Sequence, residues 1–401
     1  MTSAWRPRLV PCELQEVTCD DGERLVVLRD PTGIAGEGLG LSHGAFWVAA
    51  QLDGTRTPTE LLQHAKTSGA MLGAAELSAL LDALAEAGFL EGPTRELQRE
   101  RSLREYRAQP ARPPSCAGAV YPAEPRALRE ALDEWLGLDG SAVPAGAADA
   151  AALPAAPVRL IVAPHIDYAR GAAGYAEAYR ALPRTDADLF VVFGTAHATP
   201  PHLFTLTRLD HDTPLGPVRT DRAALARLVA ELGEDELLGD ELAHRDEHSI
   251  ELQLVVLQHL VARPFTVLPV LCSSLPEAAD PDAATARFLG ALGRAVAGRR
   301  VCYVAGADLA HVGPMYGDPR PASARELAGL ADEDRRTLAA LCAGDPAAFH
   351  RDATRDEHRR RLCGTAPLYA ALRASGVHPR LLHYEQWTDG VDSVSFAAAA
   401  G

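Results

Sequence analysis

Three histidines each follow a short apolar run with the composition of a β-strand. They are His165 after residues 158–163, His197 after 188–193 and His311 after 300–305. In sheets of parallel strands, ligands bind beyond the carboxyl ends of the strands, so side chains at these positions can converge on one crevice. Neutral imidazole is the commonest metal ligand near pH 7, and a site with about three protein ligands leaves room for water, oxygen or substrate. One such histidine alone would indicate a hydrogen-bonded loop residue, whereas three in matching positions predict a metal site.

The strand-like runs alternate with helical segments. A fourth apolar run covers residues 265–271, and the predicted helices lie near 125–138, 221–232, 247–262, 282–298 and 322–342. Short strands that are buried on both faces and separated by helices are typical of a sheet covered on both sides. We therefore predict an α/β fold with a central, mostly parallel or mixed sheet flanked by helices.

The helix predicted at 247–262 begins with the segment DEHSIE. The helix dipole favours acidic residues in a first turn, which accounts for Asp246 and Glu247 without a function. His248 and Glu251 are three residues apart on one helical face, and we expect that face to turn toward the site. The spacing is not HExxH, so the signature of a metalloprotease is missing.

Cys363 lies just before the apolar helix predicted at 367–374. A cysteine at a helix start has a depressed thiol pKa, which makes its thiolate available as a ligand or a nucleophile. The local sequence by itself nevertheless favours a structural role. The chain has 7 cysteines, widely spaced and without a CxxC pair, so we expect no disulfide framework and a reducing, cytoplasmic location.

The composition is that of an ordinary globular protein, with 47% hydrophobic and 23% charged residues. A net charge of −15 argues against a nucleic-acid partner or an anionic membrane surface, because both reward clustered Lys and Arg. No apolar run approaches the roughly 20 residues that a membrane span needs. The polar segment Met1–Arg8 lacks the apolar core of a signal peptide.

The length of 401 residues favours two or three domains. A charged, helix-forming run over 94–107 is followed by a proline-rich stretch over 109–114, which is the chemistry of a linker. The predicted divisions are a domain over 1–94, a linker over 95–114 and a domain over 115–401. Within the last of these, the Ala/Pro/Gly-rich stretch 140–157 is predicted to be a loop, since it has almost no large apolar residue to bury.

The first domain has one predicted strand, 24–28, and three predicted helices, 41–53, 57–67 and 74–87. Over about residues 20–92 it resembles the PqqD-like domains, small winged-helix-like α+β units that recognise peptides. The likeness is carried by Asp30-Pro31, Leu52-Asp53-Gly54-Thr55 and Ala87-Gly88-Phe89-Leu90. It implies a peptide or protein partner for this domain. A generic winged-helix-like unit used for packing or dimerisation is the alternative.

The second domain resembles the Memo family, whose bacterial members are called AmmeMemoRadiSam system protein B. The matching segments occur in family order: 117–122, Ala163-Pro164-His165, 194–197, 213–216, 247–251, 308–311 and Cys363-Gly364. The family is similar in fold to the class III extradiol dioxygenases, which are non-haem iron enzymes. The resemblance implies iron or copper bound by His165, His197 and Cys363, with Asp308 and His311 lining the same pocket. Asp167 stands where family members often have glycine, and it could complete a 2-His-1-carboxylate set in place of the thiolate.

These observations predict a metal-dependent oxidoreductase of dioxygenase type, with Fe(II) or copper as cofactor. His311, oriented by Asp308, or His248 would act as acid or base, because imidazole titrates near the working pH. The substrate would be a small molecule or a peptide, the latter recognised by the first domain. The alternative is a non-catalytic metal-holding scaffold or regulatory protein, because a fold does not determine a function.

Overall fold

The computed structural model describes residues 5–19, 22–36, 38–68, 72–138, 157–275 and 280–401. The chain forms two compact units, Met1–Ala108 and Gln109–Gly401. The division falls inside the segment 95–114, which was predicted to be a linker: most of that segment is helix in the first unit, and its proline-rich end belongs to the second. Residues 139–156, most of the predicted loop 140–157, lie outside the described residues.

The first unit contains, in chain order, β1 (Glu13–Thr18), β2 (Arg24–Arg29), β3 (Leu39–Ser42), α1 (His43–Ala49), α2 (Pro58–Thr67), α3 (Ala74–Glu86) and α4 (Pro93–Arg107). The second unit contains α5 (Pro125–Trp135), β4 (Leu160–Ala163), α6 (Tyr168–Tyr179), β5 (Leu189–Thr195), β6 (Phe204–Leu206), α7 (Arg222–Leu232), α8 (Glu234–Leu238), α9 (His248–Leu260), β7 (Thr266–Cys272), α10 (Pro281–Ala295), β8 (Val301–Gly306), β9 (Asp308–Val312), α11 (Ala324–Cys342), α12 (Pro346–Thr354), α13 (Thr365–Ser375), β10 (Arg380–Thr388) and β11 (Ser393–Ala400). None of the described helices is both long and apolar enough to cross a bilayer.

The first unit is a small antiparallel sheet, in the order β1-β2-β3, packed against its helices. The predicted helix over 41–53 is shorter than expected, because Ser42 ends β3 and its side chain caps α1 by accepting from the amide of Ala45. Asp30 accepts hydrogen bonds from the amides of Thr32 and Ala35 and pairs with Arg95 of α4 at 2.9 Å. Asp30 therefore stabilises the turn after β2 and also holds the charged helix α4 to this unit.

The second unit contains one mixed sheet of 8 strands, in the order β10-β11-β4-β8-β5-β7-β6, with β9 also paired to β11. The central strands β4, β8, β5 and β7 run parallel, and the outer pairings are antiparallel. All four predicted strands of this domain are present within about two residues of their expected bounds. The α/β prediction is confirmed.

Helices cover both faces of this sheet. Leu189, Val191 and Phe193 of β5 enter one buried apolar cluster with α7, α10 and α13, while Phe190 and Val192 enter a second with α5, α6 and α9. Alternate residues of a strand point to opposite faces, so a strand that is apolar throughout must be buried on both sides. This explains the continuous apolar runs in the sequence.

The parallel strands end at one edge of the sheet and place the site there. Ala163 of β4 and Gly194 of β5 both pair in register with Gly306 of β8. His165, His197 and Asp308 each lie two residues beyond the last residue of one of these strands. His311, predicted to share that position, instead lies within β9.

Two glycines allow the start of α9 to approach the same edge. A Cβ atom at Gly194 would lie 2.5 Å from Oγ of Ser249, and one at Gly306 would lie 2.5 Å from the Ser249 carbonyl oxygen. Only residues without a side chain fit there. The close packing brings Glu247 and His248 to the strand ends.

Candidate metal site

His165 is held at both its backbone and its ring. Its amide donates to Oδ1 of Asp308 at 2.9 Å, and its Nδ1 lies 2.9 Å from the carbonyl oxygen of Gly306. A carbonyl can only accept, so Nδ1 carries the proton of the neutral ring and Nε2 keeps its lone pair. That Nε2 lies 3.3 Å from Sγ of Cys363. The ring is almost fully buried, with 2% of its surface exposed.

His197 is also held at both its backbone and its ring, in this case by the carboxylate of Glu247. The amide of His197 donates to Oε2 of Glu247 at 2.9 Å, and Nδ1 lies 3.0 Å from both carboxylate oxygens. A carboxylate behind the ring fixes the tautomer that presents Nε2 and raises the basicity of the imidazole. Burial by itself would raise the pKa of Glu247, but His197 and His248 hold it well below its usual range. Glu247 also caps α9 by accepting from the amide of Ser249.

Cys363 arrives on a tightly constrained loop between α12 and α13. Glu357, His358 and Arg361 in this loop adopt φ values of 53°, 62° and 48°, a left-handed conformation that side chains disfavour. Gly364 follows the cysteine, and a Cβ atom there would lie 2.4 Å from the carbonyl oxygen of Asp308. The loop can therefore pass directly over the strand ends at Gly364.

Arg360, which lies in this loop, holds it in place through buried hydrogen bonds and ion pairs. Its guanidinium is fully buried and donates to Asp356 at 2.8 Å, to Thr337 at 3.0 Å and to Asp334 at 3.2 Å. The guanidinium group has five N–H donors in a rigid planar arrangement, so it can bond several acceptors at once. The buried ion pair compensates for the unfavourable backbone conformations around Cys363.

The thiol and the imidazole influence each other's protonation. Burial by itself would raise the pKa of Cys363, but His165 and His311 lower it well below its usual value. Burial by itself would lower the pKa of His165, but Asp308 and the Cys363 thiolate raise it to about 9. These shifts favour a thiolate at Cys363, and a metal cation bound at Nε2 of His165 would take the place of a proton there.

Ligand atoms of His165, His197 and Cys363 all lie within 4.8 Å of one another. Metal–nitrogen and metal–sulfur bonds of roughly 2.1 and 2.3 Å sum to more than the 3.3 Å between Nε2 of His165 and Sγ of Cys363, so one ion can contact both atoms. The donor set fits a transition metal. A second group, His197, Glu247 and His248, meets the same distance limit, but its carboxylate is already engaged with His197 and Ser249.

These residues lie in a cleft of about 730 Å³, called the first cleft here. Its walls include Asp167, His248, Asp308 and His311, so the predicted ligands and the predicted acid–base residues border the same cavity. Ring stacking joins His248 to His197 at a centroid distance of 4.7 Å. Burial, together with the nearby imidazoles, lowers the pKa of His248 to about 4, although Glu247 opposes the shift. His248 is neutral at pH 7.

Asp308 and His311 differ from their predicted relation. Asp308 does not orient His311: its carboxylate accepts from the His165 amide, and its Oδ2 lies 3.6 Å from Nε2 of His165. Nδ1 of His311 instead lies 3.1 Å from the carbonyl oxygen of Leu309 and 3.2 Å from that of Arg361. Both partners only accept, so Nδ1 carries the proton and Nε2 is the basic atom.

Asp167 borders the first cleft but has other partners. It caps α6 by accepting from the amide of Arg170 at 3.0 Å, and it pairs with the Arg170 guanidinium at 2.5 Å. The two possible ligand groups among the described residues do not include it. The geometry favours Cys363 over Asp167 as the third ligand.

Glu251, expected to face the site with His248, is directed into the interior. It accepts from the amides of Ser115 and Cys116, both at 2.9 Å, and forms a buried ion pair with Arg112. Arg112 also donates to the carbonyl oxygens of His244 and Glu247. Sequence reasoning assigned no role at the site to Glu247, Arg112 or Arg360. The available signals for Glu247 were its position directly before His248 and its place in the family-matching segment 247–251.

Comparison with known proteins identifies the family of the second unit. A model of the family described as "Memo-like protein" matches residues 112–400. A MEMO1 family protein of Thermus thermophilus is 31% identical over 290 residues, which cover 71% of this chain and 79% of the relative. One from Pyrococcus abyssi is 30% identical over 293 residues, 68% of this chain and 91% of the relative. One from Aquifex aeolicus is 28% identical over 305 residues, 74% of each. This chain belongs to the Memo-like protein family.

Proposed function

We propose that the second unit binds iron or copper through His165, His197 and Cys363 and carries out an oxidation of dioxygenase type. The observation that carries this proposal is the convergence of three ligand atoms, within 4.8 Å of one another, in a cleft with room for a substrate. Imidazole suits iron and copper, and a thiolate adds affinity for copper. Such a metal, when bound, would supply redox chemistry and polarise a substrate oxygen.

The residues around the ligands would bind the substrate and move protons. His311 would accept a substrate proton at Nε2, because the carbonyl groups of Leu309 and Arg361 keep the ring proton on Nδ1. His248, neutral at pH 7, would hydrogen-bond the substrate without adding charge. Ile166, Leu252 and Val394 give the first cleft an apolar wall that excludes water.

The first unit would recognise a peptide or a partner protein, as its likeness to PqqD-like domains suggests. The substrate at the metal site would then be a peptide delivered by that unit, or otherwise a small molecule. We place this activity in the cytoplasm, where a partly exposed thiol ligand such as Cys363 stays reduced. Loss of peptide binding on deletion of residues 1–95 is the expected result.

A non-catalytic metal-holding role is the second candidate, and one observation favours it. Non-haem Fe(II) oxygenases use two histidines and a carboxylate, whereas Asp167, the carboxylate considered for that place, is occupied by Arg170. A thiolate as third ligand in place of a carboxylate is compatible with a site that only holds its metal as well as with a catalytic site. Oxygen consumption separates the two functions: metal bound without turnover on phenols or peptides supports the scaffold.

Metal analysis after anaerobic purification tests metal binding, which both candidate functions require. We expect about one iron or copper per chain in the wild type and loss of metal in His165→Ala and His197→Ala. His311→Ala is the matched control, because it borders the first cleft without being a ligand. It should keep the metal and lose turnover. A wild type without iron or copper, or unchanged binding in the two ligand variants, would contradict the proposal.

A further inference from the structure

A second cleft of about 730 Å³ lies beside the first. Its walls come from the ends of β5 and β7, from α12 and the loop that follows it, and from the start of α13. His197 and Cys363 line both clefts, and among the described residues no other residue does so. The ligand pair is thus the boundary between two cavities.

The second cleft follows from the order of the strands. β5 lies between β8 and β7 in the parallel part of the sheet, and Thr195 at its end pairs in register with Cys272 of β7. The first cleft lies over the ends of β4, β8 and β5, and the second lies over the ends of β5 and β7. Ligands bind along this edge in sheets of this class, so the crevice offers two places on either side of His197.

The two clefts differ in their charged side chains. The first has three carboxylates, of Asp167, Asp246 and Asp308, and two guanidinium groups, of Arg170 and Arg361, in its walls. Of the described residues that line the second, none is Lys or Arg, and Glu357 is its one carboxylate. Burial and the neighbouring His358 lower the pKa of His350, so this imidazole is neutral at pH 7. The described lining of the second cleft thus contains one carboxylate and no ammonium or guanidinium group.

Hydroxyl groups dominate the polar lining of the second cleft. They belong to Thr195, Thr199, Ser273, Ser274, Thr354 and Thr365. Several of these donate their hydrogen to the backbone: Thr195 to Cys363 at 3.1 Å, Ser273 to Pro200 at 2.8 Å and Thr365 to Leu362 at 3.0 Å. A hydroxyl whose hydrogen is used still accepts through its lone pairs. The cleft therefore offers acceptors, and a fitting ligand would donate.

We propose that the second cleft is a separate binding site for a small uncharged molecule that donates hydrogen bonds, an alcohol or a primary amide, and that this molecule reaches Cys363 without passing through the first cleft. The proposal does not depend on the proposed oxidation, because it concerns cavities formed by the protein alone. It is tested on the full chain without metal, so its failure and the failure of the enzymatic function are distinguishable.

Alkylation of Cys363 by iodoacetamide, a primary amide, measures access to the thiolate. Val120→Trp narrows the first cleft and Ser274→Trp narrows the second; neither residue holds the metal. Each single variant should slow labelling of the Cys363 peptide less than about three-fold, because the other cleft stays open, and the double variant should slow it more than about ten-fold. If Val120→Trp alone slows labelling as much as the double variant, or the double variant has no effect, the proposal is wrong.

Labelling of Cys12 and Cys19 in the first unit gives an internal reference, because it should be equal in all variants. Cys363→Ser verifies the assignment of the labelled peptide. Ser274→Phe is the second variant if Ser274→Trp does not fold.

Charge selectivity tests the chemical class of the ligand. In Val120→Trp, where access runs through the second cleft, neutral acetamide and anionic acetate are compared as competitors of iodoacetamide. Unreactive acetamide should slow labelling of Val120→Trp in a saturable manner, and acetate should not. Equal protection by acetamide and acetate, or no protection by acetamide, would overturn the assignment of an uncharged ligand.

Discussion

Two pairs of histidines in the second unit are similar in spacing and opposite in chemistry. The rings of His165 and His197 are 5.2 Å apart, and those of His211 and His244 are 6.1 Å apart. The first pair lies at the strand ends, and the second is buried and lines neither of the two clefts described here. Proximity of imidazoles alone therefore does not make a metal site.

The difference lies in the neighbours of each pair. Asp308 lies beside the His165 ring and Glu247 contacts Nδ1 of His197, and a buried carboxylate favours the charge that a cation would bring. Arg112 stands beside the second pair, and it adds to the effect of burial in lowering the pKa of both His211 and His244, although Glu241 opposes the shift at His244. A cation bound there would lie next to a buried guanidinium. The sign of the neighbouring charge separates ligands from interior histidines.

The largest effect should come from breaking the ion pair beside the interior histidines. Arg112→Met would leave the buried Glu251 without its cation, which typically costs about 3–5 kcal/mol of unfolding free energy. Urea unfolding of the full chain measures it. Arg126→Met removes an exposed i, i+4 pair with Glu130 and is the control, with no measurable change expected. Equal urea midpoints for the two variants would show that the Arg112–Glu251 ion pair does not contribute this stability.

The interior pair should also give the second unit an acid-sensitive stability. Burial lowers the pKa of His244 to about 4, while an unfolded histidine titrates near about 6.5. The unfolded chain thus binds more protons between these values, so stability present above pH ~6.5 is lost as the pH falls through ~4.

His244→Gln should remove that part of the pH dependence, which amounts to about 3 kcal/mol over the whole window. The measurement is the difference in unfolding free energy between wild type and variant at neutral pH and at pH ~4. A constant difference between the two proteins at all pH values would contradict the prediction.

Removing the carboxylate behind a ligand should weaken metal binding without abolishing it. Glu247→Gln is expected to lower the metal affinity about 10- to 100-fold, because the amide no longer fixes His197 as a carboxylate does. Competition with a chelator measures the affinity. Asp246→Asn, one residue away and with 68% of its side chain exposed, is the matched control and should be unchanged. If both variants lose the same amount of metal affinity, Glu247 has no specific role in orienting His197.

The smallest effect should come from Asp167. Asp167→Asn is expected to change metal affinity less than about three-fold, since asparagine also caps a helix and Asp167 already pairs with Arg170. Cys363→Ser should lower the same affinity far more. The reverse order would mean that a carboxylate, rather than the thiolate, completes the site.

How far the sequence predicts this molecule depends on the range of the interactions. His165 and His197 could be predicted, because apolar runs mark buried strands and strand ends mark the crevice. Cys363 could be proposed only by family resemblance, since its position depends on the buried contacts of Arg360, which lies in an otherwise polar loop. Glu247 has the same local signature as any acidic residue in a first helical turn. Its role depends on the packing of α9 against Gly194 and Gly306, which no short window of sequence contains.

Arg112 was placed in a linker for a similar reason. The prolines around it indicate an exposed connection, and the residues that bury it, Glu251, His244 and Glu247, are more than a hundred positions away. A charged side chain in a proline-rich segment is usually solvated. In this protein the proline-rich segment instead packs into the second unit through the buried contacts of Arg112.

The position of β11 sets the order in which the site can be completed during synthesis. β11 pairs with β4, which leads to His165, and with β9, which carries His311. β4 also pairs with β8, whereas β11 is the one described strand that pairs with β9, so both β4 and β9 lack a neighbour until the ribosome has made residues 393–400. Until then the strands that lead to His165 and His311 are open edges that can pair with other chains. Metal loading of the nascent protein should therefore follow the arrival of β11, and truncation before Ser393 should give an aggregating chain rather than a weaker metal binder.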